Sequence, residues 1–341
     1  MRTRRKPYRH AQSGVSLVEL MVAMVLGLLL TLAATAIYMG TRTNYSTIDD
    51  TTALDEKGRF ALDTIVRIVR QSAWTNYAGN SAPATNPASG PIAQAPGGIM
   101  PTTVALSPTI SGVDNCASPG QDASLNLSCL PGTTNPVNKS DVLQVRFFGS
   151  GTPSDRTVAD NSMIDCSGNG VAEPQAWEDA DLARGFARFF VAPDPNDPSG
   201  NPQLMCGYRA RDASNKEISN TAITSVPIIS GVEVFQVLYG VDTNNDYIPD
   251  RYLPATDVLA LATKWQTVVS LKIALVLAGD TATGPAPEVP TFQLFGTLYG
   301  GDSTVNDATY KPTTQLQRLR RQYSVTVQLR NVATCRTCSP S

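Results

Sequence analysis

VSLVELMVAMVLGLLLTLAATAI, residues Val15 to Ile37, is an apolar run whose only charged side chain is Glu19. Twenty-three residues of α-helix at about 1.5 Å each reach about 34 Å, enough for a hydrocarbon core of about 30 Å. Ahead of it lies MRTRRKPYRHAQSG, with Arg2, Arg4, Arg5, Lys6 and Arg9 and no acid. Basic residues before an apolar span place the N-terminus in the cytoplasm, so the chain beyond about Tyr38 is expected on the far side of the membrane. A carboxylate inside such a helix costs about 2.5–3.5 kcal/mol on insertion scales. Glu19 therefore calls for a partner, or for a place near enough to the interface to stay hydrated. Ala34-Thr35-Ala36 offers a second reading, a signal-peptidase site that would release a soluble protein beginning at Ile37. The length of the run and the charge within it count against that reading.

The rest of the composition narrows the function classes. Of 341 residues only 16% are charged, against about 25% in an average soluble protein. The one histidine, His10, lies in the basic leader, and without it the chain has no Ser-His-Asp or Cys-His catalysis, no His-ligated zinc and no histidine switch. Removing the leader leaves 22 basic residues against 29 acidic, a net charge near −7. That gives no electrostatic footprint for nucleic acid. Phosphate-binding glycine loops, a GxSxG elbow and HExxH are all missing from the sequence. The expectation is a non-enzymatic protein without an organic cofactor.

Working outward, residues 38–74 continue the helix as an amphipathic one. Leu54, Gly58, Ala61, Leu62, Ile65, Ile68, Val69 and Ser72 recur at three- and four-residue spacing. Together with the span this predicts one helix of about 85 Å, its outer half laid on a domain. Gly27 and Gly58 are places where it can bend. Residues 75–139 are rich in Pro and Gly and poor in charge, which predicts loops. From 140 to 341 the pattern is strands and turns. Leu143, Val145 and Phe147 alternate, and Gly185–Ala192 is expected to pair with Leu204–Tyr208 across PDPNDPSGNP. Val232–Val241 and Thr267–Leu277 follow, then Tyr323, Val325, Val327 and Leu329 share one face. A long helix followed by strands predicts an α+β fold, with a mostly antiparallel sheet packed on the helix.

Six cysteines on the exported side are expected to be oxidised. They allow fifteen pairings, and order and strand placement favour Cys116–Cys129, Cys166–Cys206 and Cys335–Cys338. The last, a CxxC, reads as a staple, since zinc needs four ligands and there is no second CxxC. In the loop after Val241, Asp242, Asn244, Asp246 and Asp250 stand at positions 1, 3, 5 and 9 of a calcium-loop pattern, with the Ile248 carbonyl at position 7. Tyr247 replaces the usual glycine and Leu253 the bidentate acid, so a calcium site and a solvated Asx-rich turn both remain open. Arg318, Arg320 and Arg321 form a basic cluster, read as a solvated strand entry or a surface for phosphates or acids.

GVSLVEL, Gly14 to Leu20, resembles the prepilin class III signal. The resemblance implies cleavage after Gly14 by prepilin peptidase and N-methylation of Val15. It also implies pairing of Glu19, fifth from the new terminus, with a neighbouring subunit's terminal amine. Val15 stands where that family usually has phenylalanine. Further along, DEKGRFALDTIVRIVRQSAW, SDVLQVRFF, GVEVFQVLYGVDTNNDYIPDRYL, WQTVVSLKIALVL and RRQYSVTVQLRN resemble, in order, the PilW family of type IV pilus minor pilins. This implies a single-pass inner-membrane protein that passes into the pilus, helps initiate its assembly, sits near the tip and supports twitching motility and adhesion. The partners implied are prepilin peptidase, other minor pilins, the major pilin, the inner-membrane assembly platform and a tip adhesin. Two alternatives stand beside it: a minor pseudopilin of a type II secretion system, whose large members often bind calcium, and an anchored or secreted adhesive module.

Overall fold

The computed structural model describes residues 14, 16–72, 107–121, 127–130, 137–174, 183–197, 200–210, 222–244, 246–282, 290–296 and 308–329. Val15, the loop stretch 76–95, Cys335 and Cys338 lie outside the described residues. The chain divides into two units, residues 1–49 and 50–341. A helix, α1, runs from Leu17 to Gln71.

In the first unit α1 is long and apolar enough to cross a membrane, with a mean hydropathy of 2.5 over its most apolar stretch. Leu20, Met24, Leu28 and Ile37 are among its exposed side chains. Three of its threonines bond within the helix: Thr31 donates to the Leu28 carbonyl, Thr35 to those of Thr31 and Leu32, and Thr41 to that of Ile37, all at 2.9 Å. Back-bonding of this kind lets threonine sit in an apolar span without an unpaired donor.

The second unit opens with the remainder of α1. The expected three- and four-residue stripe is the buried one: Leu54, Ala61, Ile65, Ile68 and Val69 are all at most 1% exposed. The chain continues through strands β1 (Ile110–Val113), β2 (Pro119–Gln121), β3 (Leu127–Cys129), β4 (Val142–Phe147), β5 (Gly185–Pro193), β6 (Pro202–Arg209), β7 (Ile223–Ser230), β8 (Val232–Val241) and β9 (Arg251–Leu253). After a short helix, α2 (Ala255–Ala260), come β10 (Val268–Ala282), β11 (Phe292–Gln293), β12 (Thr309–Tyr310) and β13 (Arg318–Gln328). The fold is α+β. Where one sheet was expected there are two main ones, ordered β1-β4-β5-β6-β7 and β13-β10-β8-β9, every pairing antiparallel. Their inner faces and the α1 stripe share one core, in which Val145, Phe189 and Leu204 meet Phe235, Leu271 and Ile273. The division follows from the chain's supply of inward-facing apolar residues, which is more than one face of one sheet can bury.

The Pro/Gly-rich region contributes more than loops. Its β1 pairs with β4, Val113 opposite Val142. Asp114, just beyond, caps α2 by accepting the N–H groups of Ala255 and Thr256 at 2.9 and 2.7 Å. At the far end of α1 the Gln71 amide exchanges two bonds with the Ile164 backbone, at 2.8 and 2.9 Å. Gly58 has a packing role: a Cβ there would stand 2.6 Å from the Tyr323 ring, and the Tyr323 hydroxyl donates to Asp55 at 2.8 Å. Glycine at this turn of α1 lets β13 approach the helix closely.

Candidate functional site

The N-terminal end of α1 is organised around two residues. Ser16 precedes the first helical residue, and its N–H donates to a Glu19 carboxylate oxygen at 2.9 Å. The Glu19 N–H in turn donates to the Ser16 hydroxyl at 3.2 Å. This is a reciprocal capping box, satisfying two donors that a helix start leaves open. The negative side chain also lies at the positive end of the helix dipole. The cap is legible in the sequence as S-x-x-E, a local signal separate from the charge that asks Glu19 for an outside partner. Gly14 is exposed, and a Cβ on it would meet nothing within 4 Å.

The acidic loop between β8 and β9 folds on itself. Asp242 accepts the N–H groups of Asn244 (3.1 Å) and Tyr247 (3.0 Å), and Asp246 accepts that of Ile248 (2.8 Å). Asp250 accepts both the N–H and the hydroxyl of Thr243, and the hydroxyl bond, with help from the N–H, holds its carboxyl below the usual range. Asn244 donates to Asp246 and Asp250 at 3.2 and 3.3 Å. Its amide NH2 thus sits between two carboxylates, where a cation would have to go. Tyr247, in the glycine position of the calcium pattern, has φ of 68°, so the left-handed turn forms without glycine, and its carbonyl is held by Gln328 at 2.9 Å. Among the described residues no three His, Cys, Asp or Glu side chains gather as a metal site.

The basic cluster at the start of β13 is not a solvated strand entry. Arg320 makes a bidentate, buried pair with Glu233, at 2.7 and 2.9 Å, and Tyr310 donates to the same carboxylate at 3.0 Å. Arg321 pairs with Asp55 of α1 at 2.7 Å, and Arg318 donates to the Asn201 side chain. Sequence reading failed here because the acids that answer these arginines are 87 and 266 residues away. The fork of the guanidinium suits such two-point pairing.

Disulfides join Cys116 to Cys129 and Cys166 to Cys206, with Cα separations of 5.7 and 5.9 Å. The first closes the β2–β3 hairpin. The second ties the turn holding Asp165, which accepts the N–H groups of Ser167 and Asn169 at 2.9 Å, to β6. That turn is also the one Gln71 grips through Ile164.

Comparison with known proteins places these features. Residues 188–331, from within β5 to just past β13, match the family model described as type IV pilus-assembly protein W. Residues 9–35, which hold Gly14, the capping box and most of the apolar run, match the prokaryotic N-terminal methylation motif. No curated protein matches the chain. Among solved structures, a type IV-like pilin from Thermus thermophilus matches at 12% identity, over 82% of this chain and 97% of that one, with a TM-score of 0.36.

Proposed function

The chain belongs to the PilW family of type IV pilus-assembly proteins, and from that premise we propose that it works as a minor pilin. In this reading prepilin peptidase cuts after Gly14, Val15 becomes the methylated N-terminus, and the exposed apolar part of α1 holds the subunit in the inner membrane, its β-rich domain in the periplasm. On assembly the same apolar surface packs against other pilin helices, where lipid no longer covers it. Glu19 then neutralises a neighbour's terminal amine, each charge offsetting the other's desolvation. The subunit takes part in initiating the pilus and sits near its tip with other minor pilins, in support of twitching motility and adhesion. The chain acts by assembly and not by catalysis.

The observation that carries this reading is the methylation motif, seated on a helix whose apolar stretch is wholly unburied in its own chain. The experiment is Glu19→Ala in the full chain, with pilus incorporation followed by immunoblotting of sheared pili. Loss of incorporation with normal membrane levels is expected; unchanged incorporation contradicts the assembly role. Deleting the gene separates the pilus from a type II secretion system: the proposal expects lost twitching with intact enzyme secretion, and the reverse pattern overturns it.

A further inference from the structure

The two sheets end in four edges, and three of them are short or guarded. β1 and β9 have four and three residues. β7 carries Pro227 and faces a register shift in β6, both devices that blunt an edge. β13 is different. It pairs with β10 in unbroken register from Ser270–Gln328 to Ala278–Arg320, and no described strand lies on its other side. The Leu329 N–H donates to the Val269 carbonyl at 2.9 Å. In an antiparallel ladder the bonded residues alternate, so the odd-numbered residues of β13 face β10. The N–H and C=O groups of Gln322, Ser324 and Thr326 point outward instead. The segment QYSVTVQ, Gln322 to Gln328, is uncharged, rich in strand-forming residues and free of proline and glycine, the composition that most readily pairs with another strand.

Beside this edge lies a groove of about 370 Å³, lined by Gln322, Ser324, Thr326, Leu294, Phe295 and Lys272. Its position suits side chains projecting from one face of a strand laid against β13, since alternate residues of such a strand point to that face.

We propose that the β13 edge is a strand-addition site for an extended segment of a neighbouring pilus subunit. A row of outward main-chain donors and acceptors at two-residue spacing is matched by another extended backbone and by little else. The inference rests on the minor-pilin reading and says which surface of the subunit a neighbour holds.

Residue-resolved amide exchange on the full chain tests it, once in detergent alone and once in assembled pili. The amides of Val325 and Val327, bonded to β10, are slow in both. Those of Gln322, Ser324 and Thr326 are expected to exchange freely in the isolated chain and to slow on the order of 100-fold on assembly, as edge amides do when they enter a ladder. Even-numbered amides that stay fast in assembled pili overturn the strand-addition site and leave the pilin reading standing. Absence of the chain from pili overturns both. Ser324→Pro and Thr326→Pro each remove a donor that β10 does not use. Both variants are expected to keep the wild-type exchange pattern at Val327 yet enter pili at less than about a tenth of the wild-type level; wild-type entry by both variants contradicts the site.

Discussion

Ser16 and Glu19 exchange two hydrogen bonds across the first turn of α1, each residue's N–H donating to the other's side chain. Glu19 therefore has a partner within its own chain before any neighbour arrives. In the proposed membrane setting, the cost of holding its charge is offset by a backbone donor and by the helix dipole. On the proposed assembly, entry into a filament exchanges one set of partners for another, and does not create the first.

This ordering makes a graded prediction. Ser16→Ala removes the hydroxyl acceptor but keeps the Glu19 carboxylate, a loss of about 1 kcal/mol at the helix start. Pilus incorporation, read by immunoblot, is expected to fall only modestly in Ser16→Ala and to vanish in Glu19→Ala. Equal loss in both would mean that the cap, and not the charge, is what assembly needs.

A second prediction concerns Arg320 and Glu233. Truncating one member of a buried pair leaves the other charge without compensation, at about 3–5 kcal/mol. Arg320→Ala is expected to lower the melting temperature strongly, because Glu233 keeps only the Tyr310 hydroxyl among its side-chain partners named above. The double variant Arg320→Met, Glu233→Met should recover much of the loss, since apolar replacements of similar size do not leave a buried charge behind. Thermal melts of the full chain in detergent decide this. A double variant no more stable than the single one contradicts the assignment of the cost to an orphaned carboxylate.

How much of this was legible in the sequence depends on how far apart the partners lie. The buried stripe of α1 and the pairing of β5 with β6 were readable because period and turn chemistry are local. So was the long apolar stretch of α1, which composition alone reveals. The split into two sheets was not, because alternating strands look alike whichever sheet they join. Nor was the role of Gly58, which answers a tyrosine ring 265 positions later. At the candidate site, the Ser16–Glu19 cap is equally local, written in a four-residue motif. The fates of Arg320 and Arg321 were hidden, since their acids come from β8 and α1.

The acidic loop supplies a third prediction. The Asp250 carboxyl is held low by Thr243, so its contribution to folding is present above the ordinary aspartate value of about 3.9 and is lost as pH falls through the lower folded value. Thr243→Val removes the hydroxyl and should move the Asp250 titration upward, as followed by NMR of its side chain. Calcium at this loop is the proposal its spacing makes, and the observed bonding sets the terms. The ion must displace the Asn244 amide from Asp246 and Asp250, so binding is expected to be weak and chelation to leave the melting temperature unchanged. Calorimetry should show heat for the wild type and none for Asp246→Ala. No heat from either ends the proposal, and a melting temperature that drops on chelation contradicts a loop satisfied by its own N–H groups.

The central claim is that residues 1–14 are a leader removed to make a pilin. The most direct measurement is mass spectrometry of the N-terminal peptide of the chain recovered from sheared pili. The account predicts a peptide beginning at N-methylated Val15. A peptide beginning at Ile37, or a chain that retains its leader, would contradict it.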